Sequence, residues 1–286
     1  MSAKFGPAGN ADSFAAKGYK STLQAPQFVA EFGLDCYEYQ CGRGVRVSDE
    51  HADAFRKNAE KYGVSVSLHS PYYISLSSVE EEKRQKSVDY ILQSAVAVDK
   101  LGGNRVVVHS GSCAKISREQ ALELAKDTIN MALNALDENG LSHIHLCPET
   151  MGKINQLGTL EEVLSLCELD ERLIPCVDFG HLNARTLGGM STKEQFENAL
   201  DMMENRLGHD RLIVFHSHFS KIEYSTGGEK KHLTFADELY GPNFEPLCEL
   251  VAKKNLSPTF ICESAGTQAE DSLYMKQCYL KMTGEM

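Results

Sequence analysis

No apolar run in this 286-residue sequence approaches the roughly 20 residues that cross a bilayer, and the opening MSAKFGPAGNADS lacks the basic-then-apolar order of a secretory leader. Neither membrane insertion nor export is expected, and a cytoplasmic location follows as the expectation. Cysteine occurs nine times but never as CxxC, and Cys147, Cys176 and Cys262 lie inside apolar runs. That pattern predicts reduced core thiols without a catalytic role and argues against a zinc ribbon or a disulfide frame. Basic residues are scarce, 29 Lys and Arg against 40 Asp and Glu, for a formal net charge of −11. A broad phosphate-binding surface is excluded by that balance, since nonspecific nucleic-acid binding rests on clustered Lys and Arg; any such contact must be local or assisted by metal. No Pro/Gly/Ser-rich linker or low-complexity tract divides the chain, and no GxGxxG follows the first strand-like run, which argues against a dinucleotide-binding open sheet.

What is present is an alternation. Short Val/Ile/Leu-rich runs recur at 4–9, 36–40, 64–69, 105–109, 143–149, 173–179, 211–218 and 259–263, separated by longer segments of helical period such as Ser78 to Leu101, Ser117 to Glu138 and Thr192 to Leu207. Ser117 and Gln120 form a capping-box signature at the second of these. Strand spacing of about 30 to 40 residues suits a (β/α)₈ TIM barrel. With 42% hydrophobic residues, the chain can bury one large core, so residues 1–286 are expected to form a single barrel domain.

Six successive runs finish on a residue able to bind metal: His69, His109, Glu149, Asp178 with His181 three further on, His216, and Glu263. In a barrel the strand C-termini converge at one mouth, so side chains scattered in sequence would meet there. Imidazole and carboxylate without thiolate suit zinc or manganese in a site that keeps positions open. One strand-end His is ordinarily a hydrogen-bonded core neighbour and one strand-end carboxylate a helix cap, but coincidence at six strands is hard to sustain. Asp178-Phe179-Gly180-His181 adds weight, because the glycine permits a sharp turn that swings His181 beside Asp178. His143 and His145 are read as structural, and His51 and His209 as solvated.

HSPYYISLSS (69–78), VVVHSG (106–111), PETMGK (148–153), DFGH (178–181), the His216 strand and the final CES (262–264) resemble, in order and over nearly the whole chain, the endonuclease IV family of apurinic/apyrimidinic endonucleases. The resemblance implies a TIM barrel holding up to three zinc ions, with manganese or iron as substitutes, that cleaves DNA on the 5′ side of an abasic sugar. It implies that His69 and His109 bind one ion and that Glu149 bridges to a second, completed by Asp178, His216 and Glu263. His181 would hold the third ion with Glu229 and His232. Glu149 and Glu263 would be the catalytic carboxylates, and His218 a neighbour of the ligands or a substrate contact. Phosphodiester hydrolysis suits such a cage, because it needs an activated water and neutralised phosphate charge. Substrate grip would fall to Tyr72, just past His69, and to Arg43, Arg46, Lys153 and Lys221 near phosphates, with abasic DNA as the partner.

The chain departs from that family at three places. The family has Asp-x-His after the seventh strand, whereas here Glu229 and His232 are separated by two lysines; FGPAGN lacks an early histidine; and the loop 40–46 differs. Side chains three apart in an extended segment point to opposite sides, so residues 228–233 are expected to form a turn or bulge that aims Glu229 and His232 at one ion. A second function class stays open: a one-metal sugar isomerase or epimerase using Glu149, Asp178, His216 and Glu263, which the acidic charge favours.

Overall fold

The computed structural model describes residues 2–113 and 116–285. Its strands are β1 (Lys4–Pro7), β2 (Cys36–Gln40), β3 (Ser65–His69), β4 (Arg105–His109), β5 (His145–Glu149), β6 (Cys176–Asp178), β7 (His216–Phe219), β8 (Ile222–Ser225), β9 (Gly228–His232) and β10 (Thr259–Cys262). Eight of them form one parallel sheet in the order β1-β10-β7-β6-β5-β4-β3-β2, while β8 and β9 make a separate hairpin. The two ends of the sheet meet through an Ala8–Glu38 bridge, and the Gly9 N–H donates to the Glu38 carbonyl at 3.0 Å. The sheet thus closes into the expected TIM barrel.

Several helices start where a side-chain cap dictates. Ser117 and Gln120 form the anticipated reciprocal box ahead of Arg118–Glu138, and the same device opens Leu160–Cys167 and Lys193–Leu207. Each box satisfies N–H groups that have no partner within the helix. Apolar helix faces pack on outward-facing strand residues: Leu68, Val106, Val108 and Leu146 share one buried cluster with Ile91, Val98, Ile129 and Leu136. Inward-facing residues alternate with these along each strand. No described helix is long and apolar enough to cross a membrane.

Several expected strands are shorter than their apolar runs, and at one of them the site depends on the difference. The run 211–218 is not one strand. Gly208, at φ 84°, starts the short helix His209–Ile213, and β7 begins at His216 instead of ending there. The apolar residues that suggest a strand, Leu212 and Phe215, are buried in the core on the approach to β7.

Candidate metal centre

The strand ends deliver their side chains to one mouth. His69 Nε2 and His109 Nε2 each lie 3.4 Å from Glu149 Oε2. The His69 Nδ1–H faces the Ser70 carbonyl at 2.8 Å, which assigns the proton to Nδ1 and leaves the Nε2 lone pair to ligate. His181 is held in the same way, with Nδ1 2.9 Å from the Thr150 carbonyl and Nε2 3.5 Å from Glu229 Oε2. Asp178 is the cap of the helix Phe179–Arg185: its Oδ1 accepts from the His181 N–H at 2.7 Å. Gly180 serves this arrangement by close approach and not by a sharp turn, since a Cβ there would sit 2.5 Å from the Ser220 carbonyl oxygen.

The β8–β9 hairpin carries a bulge. Tyr224 opposes Glu229 and Glu223 opposes Lys231, so Lys230 is the extra residue. It shifts the alternation by one and turns Glu229 and His232 to one side. With His181 they form a group whose ligand atoms lie within 4.8 Å of one another. Gly152 leaves the room, because a Cβ there would meet Glu229 Cβ at 2.6 Å and His181 Cδ2 at 2.8 Å.

Register points to His218 in place of His216 for the second group, and His216 falls in a fully buried group with Cys176 and His218. On β7 it is His218 that pairs with Asp178, while His216 pairs with Cys176. His218 Nδ1 lies 3.0 Å from Glu149 Oε1 and 3.5 Å from Glu263 Oε1, and Glu149, Asp178, His218 and Glu263 form a second compact group. His216 is buried below the mouth, its Nε2 donating to Glu38 Oε2 at 2.9 Å. Glu38 and the place of His218 in this group are what sequence reasoning misses. A signal for Glu38 is present in CYEYQ, where a carboxylate sits on the inward face of a buried strand.

Charge balance in this cluster is that of a cage for cations. Burial opposes ionisation of Glu149, but His218, His181 and His69 around it hold its carboxyl well below the ordinary range. Burial likewise opposes the charged form of His181, yet Asp178, Glu149 and Glu229 raise it to about 10. His109, with burial dominant, falls to about 3 and is neutral. Glu149 Oε2 and Asp178 Oδ2 are buried without a hydrogen-bond partner. Buried carboxylate oxygens of that kind are costly unless a cation takes them, so the donor set fits divalent metal.

Substrate-facing residues divide. An open cavity of about 590 Å³ over the cluster is lined by Tyr72, Lys153, Gln40 and Gln268 among others. The Tyr72 ring stands 5.6 Å from both the His69 and His109 rings and is 59% exposed, free to stack. Lys221 is not brought into the cavity; it donates to the Asp237 carbonyl. Arg43 and Arg46 are exposed and do not line it, although the Arg43 loop abuts Tyr72, whose ring would lie 2.3 Å from a Cβ at Gly42.

A family model described as xylose isomerase-like TIM barrel matches residues 26–278. Among curated proteins, the chain is 33% identical over 259 residues to an uncharacterized protein of Methanocaldococcus jannaschii, covering 90% of this chain and 91% of that one. A probable endonuclease 4 of Thermoplasma acidophilum is 27% identical, with 73% of each chain covered. Among solved structures, a D-tagatose 3-epimerase-like protein superposes with TM-score 0.75 at 20% identity, covering 99% of this chain and 98% of that one. Endonuclease IV from Thermus thermophilus does so with TM-score 0.66 at 21% identity, covering 99% and 100%.

Proposed function

Since the chain belongs to the xylose isomerase-like TIM barrel family, we propose that it is a metal-dependent phosphodiesterase that hydrolyses DNA on the 5′ side of an abasic site. One observation carries this reading: the mouth holds more ligand groups than a single ion can use, among them His69–His109–Glu149, Glu149–Asp178–His218–Glu263 and His181–Glu229–His232. A one-metal isomerase has no use for the first and third. Two to three ions, zinc first and manganese or iron as alternatives, are what that donor set accommodates. When bound, such ions supply neutralisation of phosphate charge and acidification of water.

The chain's own residues do the rest. Glu149 ties the three groups together from the centre. The Glu263 side chain, 17% exposed, reaches the cavity wall, where its carboxylate can accept a proton from the attacking water. Tyr72 offers a ring against which a base or the exposed sugar edge packs, and Lys153 meets a phosphate oxygen. Local contacts of this kind reconcile a DNA substrate with a net charge of −11.

The test is incubation of the metal-loaded protein with duplex DNA bearing one abasic site. A nick 5′ to the lesion leaving a 3′ hydroxyl is expected. The compact quartet of Glu149, Asp178, His218 and Glu263 favours a second reading, a sugar epimerase. An intact duplex, one ion per chain by elemental analysis, and turnover of a ketose would establish it instead.

His232→Ala is expected to lower bound metal by about one ion per chain, because His181 and Glu229 alone make a poor site; unchanged metal content would remove His232 from the cage. His181, held up to about 10, is protonated at neutral pH in the metal-free chain and must release that proton to ligate. Its stabilising pairing with the carboxylates is fully present below its ordinary value of 6.5 and lost as pH rises through about 10. Metal affinity should therefore rise over the lower part of that window, about tenfold per pH unit for one proton. Calorimetry in buffers of different ionisation enthalpy would read the proton release, and its absence would contradict the pairing.

A further inference from the structure

Beneath the mouth lies a polar group that the reaction does not use. Glu38 is fully buried, and its carboxylate is surrounded: Ser67 Oγ donates to Oε2 at 3.0 Å, His216 Nε2 donates to the same oxygen at 2.9 Å, and His218 Nε2 stands 3.0 Å from Oε1. Barrel interiors at this depth are normally filled by branched apolar side chains. Here a carboxylate, two imidazoles, a hydroxyl and the Cys176 thiol occupy it, and His216 Nδ1 and His218 Nε2 lack a hydrogen-bond partner, a cost that a function must justify. His216 is the partner that anchors the group. Its ring is fully buried and its Nε2–H has Glu38 Oε2 as acceptor at 2.9 Å.

We propose that Glu38 is a positioning residue that sets the tautomer and tilt of His218, presenting Nδ1 to the quartet of Glu149, Asp178 and Glu263. The inference rests on the metal-site reading above and deepens it. The two ring nitrogens of His218 face opposite ways: Nδ1 lies 3.0 Å from Glu149 and 3.5 Å from Glu263, whereas Nε2 lies against Glu38. Carboxylates flank both nitrogens, so the tautomer is decided when a cation sits among Glu149, Asp178 and Glu263: the proton then belongs on Nε2, where Glu38 would hold it, and the Nδ1 lone pair would be free for the cation. Nε2 is buried 3.0 Å from Glu38 Oε1 but short of hydrogen-bond geometry, while Nδ1 is hydrogen-bonded to Glu149 Oε1. Ser67 and His216 hold the carboxylate from the far side, so Glu38 cannot follow the ring and acts as a fixed stop. The arrangement explains why β7 carries His-Ser-His: the first histidine fixes the carboxylate that orients the second.

The experiment has two arms. In the zinc-loaded wild-type protein, ¹⁵N NMR of labelled histidine, with the His218 signal identified by its loss in His218→Gln, is expected to show zinc on Nδ1 and a proton on Nε2. Glu38→Gln keeps the size but replaces one acceptor oxygen with a donor, and it should weaken zinc binding by roughly 10- to 100-fold in calorimetric or chelator-competition titration. Zinc on Nε2, or an affinity for Glu38→Gln within twofold of wild type, overturns the proposal while leaving the metal centre intact. A wild-type chain that takes up no divalent ion overturns the metal-site reading itself and this inference with it. The NMR arm uses wild type and decides the matter even if Glu38→Gln fails to fold.

Discussion

Glu149→Gln is expected to lower cleavage of abasic duplex by about 10³-fold while the protein keeps its fold. Glu149 is the one residue shared by the first two ligand groups, and its Oε1 is also 3.4 Å from His181 Nδ1, which belongs to the third. An amide of the same size keeps the contacts of the side-chain stem but offers one acceptor oxygen and an NH₂ group, which repels a cation. The fold should survive because the carboxylate stands at the barrel mouth, outside the cluster of Leu, Val and Phe side chains that holds strands to helices. Some stability of the metal-free chain is lost nevertheless. The depressed carboxyl contributes stability above its ordinary value of 4.5, lost as pH falls through its lower folded value, and the glutamine removes that contribution at all pH. Circular dichroism would check the fold and gel analysis of nicked duplex the rate. Near wild-type cleavage would exclude Glu149 from the centre.

His218→Gln and His216→Gln should part company, although the residues are two apart on one strand. Loss of His218 removes a ligand from the quartet, so bound metal should drop by about one ion and cleavage by about 10²- to 10³-fold. Loss of His216 should leave metal content close to wild type. What it breaks is a buried hydrogen bond to a carboxylate, at about 1–3 kcal/mol of folding stability. Elemental analysis and denaturant unfolding of both variants separate the cases. The reverse pattern, with metal lost from His216→Gln and retained in His218→Gln, would restore the assignment that the strand pattern suggests.

That assignment shows where reading the chain stops. β2 and β4 are legible to the residue, as CYEYQ and RVVVH, because each is a short run with clear turn or helix signals on both sides. His69, His109, Glu149 and Asp178 are legible because each is the last residue of such a strand, and barrel geometry alone sends last residues to the mouth. The run 211–218 has no such punctuation. An apolar stretch of that length is compatible with a helix end or a strand, and periodicity does not separate them.

Local alternation, caps and the two-residue period are enough to dictate the barrel and the candidate ligands at the strand ends, whereas the pairing of Glu229 with His232, and with it the need for an irregularity at 228–233, rests on the resemblance to the endonuclease IV family. Which histidine of β7 faces the metals is a tertiary matter, because it rests on β7 pairing Asp178 with His218 across strands roughly forty residues apart. So are the choice of Lys230 as the bulged residue and the space that Gly152 clears for Glu229 and His181. Beneath the mouth, folding brings Glu38 to His216 as its donor, although these residues are separated by 178 positions. Contacts of that kind exist only when the sheet closes on itself, and no local pattern encodes the register at which it does so.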